Sequence, residues 1–293
     1  MKVKFLILGV IISMSLNLFG QDTLSKWKRS LQTGININQA SFSDNWKGGG
    51  TSSLALGGLC NAKANYTNGK KMNWDNDLQL SYGFVQNKGE NAKKTVDRIF
   101  FDSKLGYVIG KKWNLFASMN FTSQFDAGFS YARDAAGIEH GTLISKFMAP
   151  AYLTSSLGME YKPVDYFWTR FGLGTMRQTF VLDTSLYQNE PKNYGVDVGK
   201  KLKTEAVFQL ISNFDKDIMK NTNLKVRLMA LSPYDKMTSI VSRLDVSLTA
   251  KVNKYISTNI AISVINDTNQ DADVQFSQVF GLGLMYNFSE FKQ

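Results

Sequence analysis

The chain's one histidine, His140, sits in the run Glu139-His140-Gly141-Thr142 and is the natural starting point for acid–base or nucleophilic chemistry. A barrel phospholipase would need a serine nucleophile paired to histidine on an outer strand face. Here Thr142 stands where serine would be wanted, in a segment expected to be a loop, so a solvated loop histidine is the better reading. The single cysteine, Cys60, cannot form an intramolecular disulfide, and its place on the apolar side of an alternating run keeps it from the three or four ligands that zinc requires. Asp267, Asn269, Asp271 and Asp273 occupy alternate positions, as the early ligands of a calcium loop do. However, Ala272 replaces the turn glycine and Gln278 replaces the bidentate glutamate, so an ordinary polar surface loop is favoured. Gly48–Gly50 is followed by no lysine with serine or threonine and opens no helix, which excludes a phosphate loop. No cofactor and no enzymatic activity are expected.

A larger set of ionisable residues lacks catalytic spacing but shares one strand parity: Lys63, Asp75, Asp77, Asp102, Lys104, Glu160, Arg170, Glu205, Lys225, Arg227, Arg243, Asp245 and Lys251. Gln32, Asn36, Asn61, Asn114, Asn120 and Gln209 fall on the same side. The opposite parity is apolar, as in Leu54, Leu56, Cys60, Ala62 and Ala64 or in Met72, Trp74, Leu78, Leu80, Tyr82 and Phe84. A period of two along such runs requires extended strands.

From Leu31 onward the alternation yields twelve strands. After the first they are expected near 53–66, 72–84, 97–109, 113–125, 149–162, 166–180, 204–214, 223–231, 239–252, 255–265 and 275–288. Several exceed the roughly 9–11 residues that suffice to cross a bilayer as a tilted strand. Connections near 67–71, 110–112, 163–165, 215–222 and 253–254 are short, whereas several on the other side, such as 126–148 and 181–203, are long. The long 126–148 connection could fold inward as a constriction or stand out in solvent. Aromatic residues gather at both strand ends, Trp27, Tyr66, Trp74, Trp113, Tyr161 and Tyr255 by the short turns and Phe84, Phe125, Phe147 and Phe276 by the long loops. An even strand number, this asymmetry of loops and two aromatic girdles predict an all-β, antiparallel up-and-down transmembrane barrel of about twelve strands.

Residues 1–20 fit the supporting role of an export signal: Lys2 and Lys4 precede an apolar run that ends at Gly20-Gln21. The expected division is therefore a signal peptide over 1–20 and the barrel over 21–293. Loss of the two lysines lowers the formal charge from +10 to +8. Lys70, Lys71, Lys111, Lys112, Lys162, Lys216, Lys220 and Lys254 lie at or beside the short turns, where anionic lipid head groups of a periplasmic face would attract them. They sit on separate turns without a binding motif, so nucleic acid is not an expected partner.

Phe280, Leu282, Leu284, Tyr286 and Phe288 form one apolar face of the last strand, opposite Gly281, Gly283 and Asn287. That strand is expected to pair back to the first, so that no backbone edge is left in hydrocarbon. The same aromatic-ended pattern resembles the carboxyl-terminal signal read by the barrel-assembly machinery, although Ser289–Gln293 extend beyond it.

Three stretches, Asn36–Gly58, Asn68–Gly83 and Ile144–Gly174, resemble a Bacteroidota family of secreted proteins known only as a domain of unknown function and regarded as outer-membrane barrels. The resemblance implies a Gram-negative outer membrane of that phylum; it carries no reaction, ligand or catalytic residue. The expected protein is a nonenzymatic outer-membrane barrel with both termini periplasmic, serving as a structural or accessory part of an envelope complex. A narrow channel for small polar solutes is the alternative, and a lipid hydrolase a distant third. Expected partners are outer-membrane lipids, the assembly machinery and other envelope proteins.

Overall fold

Leu31, Thr33 and Ile35 of the first strand stand opposite Phe288, Tyr286 and Leu284 of the last, and this antiparallel register closes the sheet on itself. The computed structural model describes residues 26–41, 52–188, 193–253 and 256–289. The proposed signal peptide, Gly48–Gly50, Lys254 and Tyr255 lie outside the described residues.

The strands are β1 (Trp27–Ala40), β2 (Ser53–Thr67), β3 (Met72–Asn87), β4 (Lys93–Val108), β5 (Trp113–Ser123), β6 (Gly128–Arg133) and β7 (Glu139–Ser145). They continue with β8 (Ala151–Val164), β9 (Phe167–Phe180), β10 (Leu202–Met219), β11 (Thr222–Pro233), β12 (Val241–Lys251), β13 (Ile256–Asn266) and β14 (Gln275–Ser289). Twelve of them, all but β6 and β7, pair in chain order into one closed antiparallel barrel. Closure satisfies the backbone of every barrel strand from its neighbours, the condition for a sheet to stand in an apolar medium. The twelve-stranded barrel read from alternation is therefore the fold observed.

Two connections differ from expectation. The 126–148 segment forms its own two-stranded sheet, β6–β7, leaning on the β3–β4 connection through Lys93–Glu139 (2.6 Å) and Arg133–Glu90 (3.1 Å). Phe129 and Tyr131 alternate along β6, with Phe129 opposite Leu143 of β7, and the Asp134 side chain accepts from the backbone N–H of Ala136 and Ile138 in the turn. The expected turn at 215–222 shrinks to Lys220-Asn221, because β10 runs on to Met219 through a bulge at Asp217/Met219. Asn221 supplies the left-handed residue of that turn, with φ of 64°.

Outward faces are apolar, and their ends carry ring clusters. Trp27 stacks at 5.2 Å on Tyr66 and 5.7 Å from Trp74, Trp113 lies 4.8 Å from Tyr161, and Tyr166 meets Phe214 edge-on at 5.7 Å. All three groups sit at the short-turn end. At the opposite end Ala149, Val181, Leu186 and Val196 form a small buried core, with Leu143 and Tyr194 packed against it. The β9–β10 connection, which includes short 3-10 turns at Thr184–Gln188 and Asn193–Gly195, is thereby fixed to the segment that precedes β8.

Candidate functional site

Among the described residues the largest convergence of chemistry-bearing side chains is in the interior. Period two sends the same parity of every strand inward, and antiparallel register then sets their heights. Asp75 stands beside Lys104, Asp77 beside Asp102, and Glu160 beside Arg170. Two of these pairs bring opposite charges together on the wall, whereas Asp77 and Asp102 are like charges whose cations, Lys225 and Arg227, reach them from β11 across the lumen.

On the wall formed by β3, β4, β5, β8 and β9 these groups fuse into one network. Glu160 accepts from Lys104 Nζ at 2.8 and 3.0 Å, from Arg170 Nε at 2.9 Å and from Asn114 Nδ2 at 3.0 Å. Arg170 Nη1 donates to Asp102 Oδ2 at 3.0 Å, and Lys104 also lies 3.0 Å from Asp75. The Trp168 ring covers the Arg170 guanidinium at 4.1 Å, with Phe116 at 5.8 Å. Exposure falls to 1% for Glu160 and 4% for both Lys104 and Arg170, and across the waist of the barrel the network meets Arg227 of β11, 3.8 Å from Asp102. Charges this dry persist only when paired and hydrogen-bonded, as these are.

Toward the short turns the lumen widens into a vestibule of about 690 Å³ whose wall includes Asp102, Lys104, Glu160 and Arg170 of that network together with Lys63, Asp75, Asp77, Asp215 and Lys225. Lys63 pairs with Asp215 at 3.4 Å, Lys225 faces Asp77 at 3.8 Å, and Gln79 donates to Asp77 at 2.9 Å. Lys251 lines an adjoining cavity of about 370 Å³. Above the waist Arg243 grips Asp245 with Nε and Nη2 at 2.9–3.0 Å, Ser263 donates to Asp245 at 2.6 Å, and Glu205 holds Lys203 at 2.8 Å. Val207, Leu231 and Val241, with Met229 against them, close that level with an apolar cluster.

All thirteen charged residues read from parity are placed on inward-facing strand positions, but they form three tiers and not a single site. Five charged interior residues lie outside that set: Lys203, beside Glu205, and four others. Arg98 shares the parity of Asp102 and was legible. Asp215 was assigned to a turn that the structure shortens. Arg177 is hidden by a bulge in β9, where Thr175 pairs Val207 and Gly172 pairs Gln209, so that the inward parity changes from even to odd. The GLG at 172–174 is the local signal for that bulge.

Asp267 is the fourth, and here the expectation of a surface loop is corrected. It is 1% exposed, lies 3.4 Å from Arg177 Nη2, and accepts from Gln270 Nε2 at 3.1 Å and the Asn269 N–H at 3.0 Å. Gln270 continues to the Tyr152 hydroxyl at 3.1 Å. An arginine commits this carboxylate inward, whereas Asp271 turns to the Asp273 N–H at 2.9 Å and stays with Asp273 at the exposed tip. Asp267, Asn269, Asp271 and Asp273 therefore do not converge, and among the described residues no group of three or more metal-ligating His, Cys, Asp or Glu occurs. His140 stands on exposed β7 with Nε2 2.9 Å from Asp134 Oδ2, a contact that holds the Asp134 carboxyl below the usual range.

On β14, Phe280, Leu282, Leu284, Tyr286 and Phe288 face away from the lumen, while Met285 points in and receives a contact from Gln32 Nε2 at 3.1 Å.

Residues 37–129 match the family described as Protein of unknown function (DUF3078), and residues 163–288 match a second, Protein of unknown function, DUF481. No curated protein matches the chain. Among solved structures it is similar to the COG4313 outer membrane channel from Pseudomonas putida F1, at 11% identity over 93% of this chain and 100% of that one, with a TM-score of 0.40. It is similar to the translocator domain of autotransporter NalP from Neisseria meningitidis, at 12% identity over 95% and 92% with a TM-score of 0.38. A third is the NanC porin, at 8% identity over 87% and 98% with a TM-score of 0.40. These likenesses concern the barrel fold alone.

Proposed function

We propose that this chain is a nonenzymatic outer-membrane barrel, both termini on the periplasmic side, that serves as a structural or accessory component of an envelope complex. One observation carries the reading: ion pairs reach across the lumen from opposite walls, Lys63 to Asp215, Asp77 to Lys225 and Arg98 to Asp245, next to the buried Lys104–Glu160–Arg170–Asp102 network. A solute path would have to break several charge-assisted bonds at once, each leaving a buried ion unpaired. Membrane residence is supported by the apolar outer faces and the ring clusters at the strand ends. On this reading the partners are outer-membrane lipids, the assembly machinery that reads the β14 face, and other envelope proteins.

Planar-bilayer recording of the purified protein tests it. Currents near the baseline of protein-free bilayers are expected; large, stable open-channel currents would instead favour a narrow channel for small polar solutes. The vestibule of about 690 Å³, lined by both signs of charge, is the observation that favours that second reading. Hydrolysis is disfavoured because, among the described residues, the side-chain hydrogen bond of His140 is to Asp134 and none joins it to a serine or threonine hydroxyl that could act as nucleophile. Ester turnover that disappears on His140→Ala would contradict this.

A further inference from the structure

Between the waist and the Val207–Leu231–Val241 level lies a small cavity of about 80 Å³ bordered by four arginines, Arg98, Arg177, Arg227 and Arg243, but by only two carboxylates, Asp245 and Asp267. The carboxylates are already taken. Asp245 is held by Arg243 through two nitrogens at 2.9–3.0 Å and lies 3.6 Å from Arg98 Nη2, and Asp267 faces Arg177 at 3.4 Å. Two donors are left over. Arg98 Nε and Arg227 Nη2 are both buried and make no hydrogen bond. The nearest acid to Arg227 is Asp102, at 3.8 Å, and Arg170 already holds that carboxylate at 3.0 Å.

The two unsatisfied guanidiniums border the same cavity and approach the same Phe100 ring at 4.7 and 5.1 Å from its centroid, so they lie within about 10 Å of one another. Like charges brought together out of water repel, and each unmade charged donor is costly. Water could accept their hydrogen bonds but would leave the excess positive charge in place. An anion removes both costs together. At about 80 Å³ the cavity holds several waters, hence has room for a small inorganic anion.

We infer that Arg98 and Arg227 form a binding site for a small inorganic anion, of the size and charge of a halide, inside the barrel above its waist. The inference rests on the interior geometry and is independent of whether the barrel conducts. Chloride and bromide are the probes. The unfolding midpoint of the detergent-solubilised protein is measured in sodium chloride and in sodium gluconate, whose anion is too large for the cavity, at equal ionic strength. Chloride is expected to raise the midpoint saturably by about 3 °C or more. Arg227→Gln should lose this dependence, whereas Lys251→Gln, which alters a different cavity, should keep it. Crystals soaked in bromide should show an anomalous peak within hydrogen-bond distance of Arg98 Nε and Arg227 Nη2, a readout that remains if Arg227→Gln fails to fold. Equal midpoints in both salts, chloride dependence that persists in Arg227→Gln, or water alone in the cavity would overturn the inference.

Discussion

Arg170 on β9 and Glu160 on β8 are register partners joined by a 2.9 Å hydrogen bond, and each is also tied to a third strand, Arg170 to Asp102 and Glu160 to Lys104, both on β4. Their bond fastens neighbouring strands across the wall, and its continuation to β4 ties that wall to the far side of β5. Glu160→Gln should therefore lower barrel stability by about 3–5 kcal/mol, because Lys104 and Arg170 would lose a shared counter-charge in a dry site. Denaturant unfolding in detergent micelles measures this. Lys251→Ala, in the open adjoining cavity, should stay within about 0.5 kcal/mol.

Gly158 is a second sensitive point. A Cβ there would meet the Phe171 carbonyl oxygen at 1.9 Å, which is backbone and cannot swing aside, whereas a Cβ at Gly57 would find nothing nearer than 4.0 Å. Gly158→Ala should sharply reduce the folded yield, and Gly57→Ala should refold like the parent. The fraction of protein that runs as the compact, heat-modifiable band in unheated electrophoresis distinguishes them.

Asp183 supplies a pH dependence at the loop end. Hydrogen bonds from Lys146 Nζ at 2.7 Å, Ser185 Oγ at 2.6 Å and the Ser185 N–H at 3.0 Å pull its carboxyl down to about 2. A depressed folded pKa contributes stability that is fully present above the unfolded value of about 3.9 and is lost as pH falls toward about 2. Amide protection around Val181 and Leu186 should thus be flat from pH 7 to about 5 and weaken between about 4 and 2. Asp183→Asn should erase that step.

On the outer wall, Leu282 of β14 is half exposed and pairs Thr258 of β13. Leu282→Arg should cost about 2–4 kcal/mol if the strand lies near the bilayer midplane, as lipid-facing cations do there. Refolding into lipid vesicles, followed by urea titration, reads that cost.

The fold was legible because a barrel wall repeats one rule, and Leu54, Leu56 and Cys60 against Asn61 and Lys63 state it without help from distant residues. The rule fails where the backbone breaks its own period. The β9 bulge sends Arg177 inward against simple alternation, and the residues around it gain their meaning only from partners such as Asp267, ninety positions away in the chain. Loop folds were equally hidden. The β6–β7 hairpin and the β9–β10 turns are set by contacts such as the Tyr194 hydroxyl to the Ile144 carbonyl at 2.5 Å, which no local pattern announces. Parity located the inward charges, but not which of them would meet. That depended on register, the relative heights that each turn length imposes on its two strands.

The most direct test of the central claim is a spin-label scan of β14 in lipid vesicles, one cysteine at a time from position 279 to 287 in a Cys60→Ser background. Oxygen dissolved in the bilayer should relax the labels at 280, 282, 284 and 286 strongly and those between them weakly, giving a period of two. Uniform accessibility to a water-soluble relaxant, or a signal without that period, would contradict a barrel that turns this face to lipid.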